Sequence, residues 1–376
     1  SAAGAGAAAP AALRGAPPRR YALEAAAAEL PWEWNAAHAV ATTAPARRAL
    51  DSLWEDPSRF SDVFEEELGA LQAGGALQAA GEALQGPPEG HSDADAAVLR
   101  RRIGEVRAAD RARAASELLH VAVGRRFQEI GVPLVQKLLG ETEVAFGPVN
   151  LQSLSTHLHS EDALELVKEH TLSVIGEWTH LTRDFMLELA LGQAAEVYLA
   201  SALFGYALRQ ADARFRLERL LSPAFGSLKD YAASFEPDEA ERAMAINSLE
   251  AEAALDRHVQ ALFGDVRQLH QELLEAIGPE AAEAGAEQAE AALAQAVRRG
   301  DVASVRISVG DLRRLVLEGI AFGRLLADAE AQVDAVHKLS PTAHGCCLGS
   351  RGSSGAGGVE ASAWPLGFQR LGRCSI

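Results

Sequence analysis

The stretch EVYLASALFGYALRQADARF, residues 196–215, decides the fold of this chain, because EGIAFGRLLADAEAQV, residues 318–333, repeats its pattern. When Phe204-Gly205 is laid over Phe322-Gly323, the offset between the two segments is 118 residues. Small, apolar and acidic positions then coincide: Leu199, Leu208, Ala211, Asp212 and Ala213 fall on Leu317, Leu326, Ala329, Glu330 and Ala331. The sequence therefore contains the same predicted helix twice, each time with a glycine in its interior.

A shorter helix is predicted before each copy of this one. Each begins at a serine, which can cap the free N–H groups of a first turn, and ends at a glycine, which can adopt the left-handed conformation. Both segments hold 15 residues between serine and glycine, and both place a histidine ten residues after the serine. The matching pairs are Ser160 with Ser248, Gly176 with Gly264 and His170 with His258.

These repeats predict an all-α fold, a helical bundle built from two tandem copies of a helical repeat. The first repeat is assigned to residues 151–235 and the second to residues 236–338. An Ala/Glu-rich insertion at 275–300, predicted as one helix that ends at Gly300, accounts for the greater length of the second copy. Because one amphipathic helix pair cannot cover its own apolar face, the two copies are expected to pack on each other about a pseudo-twofold axis.

An N-terminal helical region, residues 46–150, is predicted to precede the repeats. Its helical spacing over 46–84 is interrupted by the AGGA sequence at 73–76, and GPPEG at 86–90 indicates a loop. A long helix is predicted over 92–131, with arginines outside an interrupted apolar face. That face consists of Val98, Ile103, Val106, Leu118, Leu119, Val121 and Val123.

Both ends of the chain lack helical periodicity. Residues 1–45 are predicted to be disordered, and they contain three arginines but no acidic residue before Glu24. That composition is typical of the remnant of an organelle transit peptide, and a low-complexity tail is the alternative. Residues 339–376 include a long glycine- and serine-rich stretch, and they are predicted to form a disordered tail.

Composition argues against several classes of function. A net charge of −17 disfavours general binding to nucleic acid or to an anionic membrane, because both need clustered cations. The three cysteines all lie in the predicted tail, so the helical body offers no thiolate for a metal or for catalysis. The most apolar stretch, residues 185–208, is interrupted by Glu188 and Glu196, which predicts a buried helix rather than a transmembrane segment.

Four stretches of the chain resemble a plant and algal plastid family, the UV-B-induced proteins that carry domain of unknown function 760 in two copies. They lie at residues 99–127, 191–221, 228–264 and 311–334, and they agree with the family in order and spacing. The Ala/Glu-rich insertion, the cysteine-bearing tail and VDAVHK at 333–338 depart from the family pattern. The resemblance implies a chloroplast location, in the stroma, and a link to light or UV-B stress. It supplies no catalytic residues.

No catalytic residue, cofactor or metal site is predicted from the sequence. No Walker motif is present, and no glycine-rich phosphate loop follows a predicted strand. The THLHSED sequence at 156–162 collects two histidines and two acids, but it directly precedes a helix start and has no second cluster to complete a ligand set. A polar loop is the preferred interpretation of this sequence, and a metal site is the alternative.

Two glycines and two histidines are candidate binding residues, each with a structural alternative. Gly205 and Gly323 lie inside predicted helices, where a glycine costs about 1 kcal/mol relative to alanine. They indicate either close packing of two helix backbones or room for a ligand. His170 and His258 are either repeated packing residues or a pair of acid–base groups that the pseudo-symmetry brings together.

Three arginines, Arg209, Arg214 and Arg324, complete the candidate binding residues. They follow the apolar part of the repeated helix, where acids at four-residue spacing, such as Asp212 before Arg216, suit surface ion pairs. A solvated helix face is the preferred interpretation of these charges. The functional alternative is a strip that docks a partner protein.

Two functions of different classes fit the sequence. The first is a plastid interaction or regulatory protein without chemistry of its own, whose partner is another plastid protein. The second is a small-molecule binder or enzyme that uses a cavity between the two repeats. Peripheral contact with thylakoids is a weaker variant of the first function, since it requires an exposed apolar or basic patch.

Overall fold

Ten helices and three short strands form the part of the chain that this computed structural model describes, residues 40–83, 91–176, 182–221, 225–236, 242 and 245–342. The helices are α1 (Ala44–Glu55), α2 (Phe60–Ala83), α3 (His91–Glu129), α4 (Glu161–Ile175), α5 (Leu191–Leu221), α6 (Leu228–Ala233), α7 (Leu249–Phe263), α8 (Val266–Ala284), α9 (Ala286–Arg299) and α10 (Val309–Val336). The strands are β1 (Glu143–Val144), β2 (Met186–Ala190) and β3 (Ser304–Ser308). The predicted all-α class is confirmed.

Two long helices, α5 and α10, pack against each other and form the centre of the fold. They contain the predicted repeat, and α10 is buried along most of its length. Helices α3, α4 and α7 pack around this pair, while α1 and α2 extend the bundle along α3. All described helices and strands belong to one compact unit. None of the helices within the described ranges is long and apolar enough to cross a bilayer.

The predicted caps of the two shorter helices are confirmed. The Ser160 side chain accepts a hydrogen bond from the Ala163 N–H at the start of α4, and the Ser248 side chain accepts one from the Ala251 N–H at the start of α7. Both helices hold 15 residues, and each ends at a glycine with positive φ. Local sequence alone is sufficient for these boundaries because the capping hydrogen bonds form within one turn.

A small sheet lies where the sequence predicted only helix. Residues 186–190, which belong to the apolar stretch interpreted as a single helix, form β2, and the helix α5 begins at Leu191. β2 pairs antiparallel with β3, and β1 pairs parallel with the other edge of β3. The apolar run was ambiguous because Leu187 and Leu189 alternate with an exposed Glu188, a pattern that a strand buries on one face.

Both predicted repeats have the order helix, strand, long helix. β2 and β3 share one burial pattern along their five residues, and their positions differ by the same 118 residues as the long helices. In the antiparallel register Glu188 faces Arg306, its own equivalent at that offset. A local twofold axis therefore passes between these two residues. This geometry supports the predicted duplication, which remains an inference.

The insertion in the second copy forms two helices, α8 and α9, rather than the single helix predicted over 275–300. Gly285, with φ of 117°, separates them, and a further non-helical glycine, Gly278, interrupts α8. Gly300 ends α9 in the left-handed conformation, as predicted. The insertion packs its apolar face on the end of β2, in a cluster of Ala190, Leu273, Leu293, Ala296, Val297 and Val302.

The prediction that AGGA at 73–76 interrupts the N-terminal helical region is wrong, because α2 runs through it without a break. Two glycines lower helix propensity by about 1 kcal/mol each, which is too little to end a helix that packs on neighbours. The loop predicted at 86–90 lies outside the described residues. The same is true of residues 1–39 of the predicted transit-peptide remnant and of residues 343–376 of the predicted tail.

Candidate functional site

The two candidate glycines lie where α5 and α10 cross. A Cβ atom on Gly323 would lie 1.7 Å from the carbonyl oxygen of Ala202, and a Cβ atom on Gly205 would lie 2.0 Å from the carbonyl oxygen of Ile320. The two helix backbones are therefore in direct contact. This crossing leaves no room for a ligand. Its geometry favours close packing of the two helix backbones over a ligand site as the role of the two glycines.

The contacts at this crossing are reciprocal. Ala202 and Ile320, which face the two glycines, are themselves equivalent residues at the offset of 118. At the same crossing Gly319 lies against Ser201, its own equivalent, since a Cβ atom on Gly319 would lie 3.0 Å from that serine's Cβ. The helix pair thus follows the same local twofold relation as the strands.

Each candidate histidine stacks on the phenylalanine of its own repeat. His170 lies over Phe204 with ring centroids 4.2 Å apart, and His258 lies over Phe322 with centroids 4.0 Å apart. Burial lowers the pKa of His170 to about 4, and it lowers the pKa of His258 well below its ordinary value. The histidines are therefore neutral near pH 7, and each has a side-chain hydrogen-bond partner.

His258 belongs to a buried hydrogen-bonded chain that the sequence analysis did not find. Its Nε2 atom lies 2.9 Å from the Tyr198 hydroxyl, and its Nδ1 atom lies 3.0 Å from Nε2 of His120. Burial lowers the pKa of His120 to about 4, an effect that the nearby Glu117 charge opposes. These hydrogen bonds link α3, α5 and α7, and the three residues that make them are almost completely buried. It can join helices, but it offers no surface to a substrate.

A buried carboxyl group, Glu318, lies near Tyr198 of this hydrogen-bonded series. It accepts a hydrogen bond from the Val135 N–H at 2.7 Å, and its other oxygen lies 3.9 Å from Nε of Arg314. Arg314 also donates to the Pro133 carbonyl oxygen at 2.8 Å. Burial raises the pKa of Glu318 to about 7, although the arginine charge and the Val135 N–H favour its ionised form. Glu318 and Arg314 thus hold the segment after α3 against α10.

We predict that Glu318→Gln removes a pH dependence of stability. A carboxyl whose pKa rises from 4.5 to about 7 on folding stabilises the protein while it is protonated, and this contribution is lost as the pH increases through about 7. The loss is on the order of 3 kcal/mol, and glutamine should not show it. Thermal unfolding of both proteins at about pH 5, 6, 7 and 8 measures the difference.

The comparison between the two proteins is the informative quantity in this experiment. Burial raises the pKa of Glu196 and of Glu330 in the same direction, so the wild-type profile alone contains several contributions. Parallel pH profiles for the wild type and Glu318→Gln would contradict the prediction. A gap that widens toward low pH, where the protonated wild type is the more stable, supports it.

An acid lies eight residues after each stacked phenylalanine. It accepts a hydrogen bond from the serine that caps the shorter helix of the same predicted repeat. Ser160 Oγ donates to Asp212 at 2.9 Å, and the Ser248 hydroxyl donates to Glu330. The predicted ion pair of Asp212 with Arg216 is present at 3.1 Å, but Asp212 is buried rather than on a solvated face. The surface interpretation missed this role because it considered only spacing within one helix.

Two of the three candidate arginines meet at one acid. Arg209 of α5 and Arg324 of α10 lie 2.6 Å and 4.0 Å from the carboxylate of Asp328. The third, Arg214, is exposed near the end of α5. Within the described part of the chain, no group of three or more His, Cys, Asp or Glu side chains is placed to hold a metal ion. His159 of the THLHSED sequence is buried, and that burial, with the Arg324 charge, lowers its pKa to about 3.

Two connected grooves lie at another place, between α1, α2 and α3. One, of about 500 Å³, is lined by Ala70, Leu71, Gly74, Leu77, Arg107, Asp110 and Arg111. The other, of about 360 Å³, is lined by Thr43, Ala44, Pro45, Leu71, Asp110, Arg111 and Ala114. Because Leu71, Asp110 and Arg111 line both, they form one continuous groove, here called the α2–α3 groove. None of the seven candidate residues lines it.

Beside the groove, the N-terminal half of α3 exposes apolar side chains. The prediction that Val98, Ile103 and Val106 belong to a buried face is wrong, because continuous burial begins only at Ala114. The residues here called the apolar strip are Leu77 (75% exposed) of α2 together with Val98 (67%), Leu99 (61%), Ile103 (42%) and Val106 (55%) of α3. Residues 98–113 contain six arginines and two acids, a net charge of +4. The strip is therefore flanked by positive charge on an otherwise acidic chain.

The comparisons with known proteins agree with the family resemblance, but they do not confirm a second copy of DUF760. Residues 98–221, from the apolar strip to the end of α5, match the family described as protein of unknown function (DUF760). The chain is 26% identical over 289 residues to a UV-B-induced chloroplastic protein of Arabidopsis thaliana. This alignment covers 63% of the chain and 63% of the relative's length. No solved structure matches the chain. The chain is thus similar to a plastid UV-B-induced protein, and its residues 98–221 are similar to the DUF760 family.

Proposed function

We propose that this protein acts in the chloroplast stroma by binding another plastid protein, without chemistry of its own, in the response to UV-B light. The name of the Arabidopsis relative supports the chloroplast and the link to UV-B, and the stroma is part of our proposal. The observation that carries the binding role is the apolar strip beside the α2–α3 groove. Five large apolar side chains are exposed on α2 and on the N-terminal half of α3, among six arginines of residues 98–113, which favours a protein-binding surface over a solvated helix face.

The runner-up function, a small-molecule binder or enzyme with a cavity between the repeats, has less support. Backbone contacts at Gly205 and Gly323 fill the crossing where such a cavity was expected. His170 and His258 are stacked and hydrogen-bonded inside the protein, so neither is available to a substrate. A general acid or base must come within hydrogen-bond reach of the group that reacts.

The test is affinity capture from chloroplast extracts of UV-B-treated leaves, with three versions of the full chain. In the strip variant, Leu99, Ile103 and Val106 are replaced by glutamine, which keeps helix propensity. The control variant makes the same change to glutamine at Leu172 and Leu249, which are about as exposed as the strip residues but lie on α4 and α7. We expect one stoichiometric protein to bind the wild type and the control variant and to be lost from the strip variant.

Circular dichroism of all three proteins verifies that they are folded. Capture of the same proteins by the wild type and the strip variant would contradict the proposal. A metabolite that co-purifies in equal amounts with all three proteins would favour the small-molecule function instead.

A further inference from the structure

We infer that the α2–α3 groove binds an acidic amphipathic helix of a partner protein. This inference rests on the proposed function and specifies the chemistry of the partner. It depends on three properties of the described residues: the shape of the groove, the sign of the charge around it, and the lack of a matching surface elsewhere on this chain.

The shape of the groove fits a helix. Its walls are the neighbouring helices α2 and α3, with Leu71 and Leu77 on α2 and Arg107 and Arg111 on α3. A Cβ atom on Gly74 would touch only the flexible Arg111 side chain, at 3.8 Å, so the α2 wall is low there. From Arg107 to Ala114 the α3 wall is about 10 Å long, which corresponds to about two turns of a partner helix. Apolar residues at helical spacing on such a partner could lie on the strip and in the groove.

The charge around the groove selects an acidic partner. Residues 98–113 carry a net charge of +4, whereas the whole chain carries −17. The remaining surface therefore repels an acidic partner, and this segment is where attraction can outweigh that repulsion at short range. Arg107 and Arg111 project from the groove wall itself, so acids that flank the apolar face of a bound helix can pair with them.

A second copy of this chain is a poorer occupant than a different protein. Another group of exposed leucines, Leu217, Leu220 and Leu221 at the end of α5, lies among three arginines and one acid, Arg214, Arg216, Arg219 and Glu218. Two basic apolar surfaces repel each other. The acidic helix α9 has the opposite problem, because its apolar residues Leu293 and Val297 are already buried in the protein.

An anionic bilayer is also a poorer occupant, because a bilayer is flat and the groove is concave. Leu71 and Leu77 on α2 and Arg107 on α3 belong to two different walls, so a flat surface that touches the rims leaves the groove floor uncovered.

The experiment measures binding of two synthetic helical peptides of about 18 residues to the full-length protein by fluorescence anisotropy. Both carry leucines at three- and four-residue spacing, and they differ only in having glutamate or lysine beside that apolar face. We expect the glutamate peptide to bind about tenfold more tightly than the lysine peptide, and more weakly as salt is raised. Arg107→Glu with Arg111→Glu should reverse the preference.

The matched control is Arg298→Glu with Arg299→Glu at the end of α9, which changes net charge equally and should leave the preference intact. Equal binding of both peptides, binding of neither, dimerisation through the strip in sedimentation analysis, or binding of the protein to phosphatidylglycerol vesicles but not to the glutamate peptide would each overturn the inference. These outcomes are distinct from failure of the proposed function, which is shown when the strip variant keeps every captured partner.

Discussion

Gly323→Ala should destabilise this protein by about 3–5 kcal/mol, a large part of the roughly 5–15 kcal/mol by which folded proteins are ordinarily stable. The added methyl group would lie 1.7 Å from the Ala202 carbonyl oxygen and 2.9 Å from the Tyr206 nitrogen. Both atoms belong to the backbone of α5, so a side-chain rotation cannot relieve the overlap. The two central helices must move apart along a packed interface, and the contacts beside the crossing are lost with them.

Gly69→Ala is the matched control for this substitution. Gly69 also lies inside a long helix, α2, but a Cβ atom there would meet nothing within 4 Å. Alanine should therefore stabilise that helix by about 0.5–1 kcal/mol. Thermal and urea unfolding of the two variants should thus move in opposite directions from the wild type.

A similar small change in the stability of both variants would contradict direct contact between the two helix backbones at the crossing. Gly205→Ala is expected to resemble Gly323→Ala, because its Cβ atom would lie 2.0 Å from the Ile320 carbonyl oxygen. Gly205→Leu should be more severe still. A Gly205 variant that keeps its melting temperature and loses only a ligand would favour the pocket interpretation of this glycine.

Glu117→Ala should cost about 3–5 kcal/mol, the second-largest effect expected, because this buried carboxylate anchors the start of α1 to α3. It accepts hydrogen bonds from the N–H groups of Thr42 and Thr43, at 2.9 and 2.6 Å, and from the Thr42 hydroxyl. Arg113 and Arg257 reach the same carboxylate at 3.2 and 3.3 Å. Alanine would leave these donors without an acceptor.

The stability that Glu117 contributes should also depend on pH. Burial by itself would raise its pKa, but the hydrogen bonds from Thr42, Thr43 and Arg113 outweigh burial and hold the pKa below its ordinary value. A carboxyl of lowered pKa stabilises the fold above its unfolded pKa of about 4.5, and this contribution is lost as the pH falls through the folded value. The wild type should therefore lose its advantage over Glu117→Ala in acid.

Glu105→Ala is the control, because it removes a carboxylate from the same helix. Glu105 pairs with Arg101 at the same four-residue spacing as Glu117 with Arg113, but both members of that pair are exposed. Exposed pairs of this kind contribute little, so its melting temperature should match the wild type. Equal effects of the two substitutions would contradict an anchoring role for Glu117. Since Thr43 also lines the α2–α3 groove, Glu117→Ala should weaken groove binding as well.

Much of the helical framework could be predicted from short stretches of sequence. Ser160 and Ser248 cap helices and Gly300 ends one because each of these interactions forms within a single turn. The offset of 118 residues between the long helices also held for the strands, whose pairing was not foreseen. The helix predicted over residues 186–190 is wrong, since a short apolar run does not distinguish a strand from a buried helix.

The candidate site was predicted less well, because its properties depend on neighbours that are distant along the chain. His120 stands in an apolar run of α3, and nothing local indicates that it lies 3.0 Å from His258. Val98 and Val106 share the apolar character of the buried Leu118, yet they remain exposed. The signal that could have distinguished them is the density of arginines over 98–113, which is unusual for a helix buried on one face.

By itself, the sequence determined the helical class and the ends of the capped helices, because propensity and capping depend on local residues. Only the tertiary structure decided that Gly205 and Gly323 meet backbone carbonyls, that Asp212 is buried, and that half of α3 is left uncovered. Whether an apolar or charged side chain is buried depends on what packs over it, and that neighbour is supplied by another part of the chain.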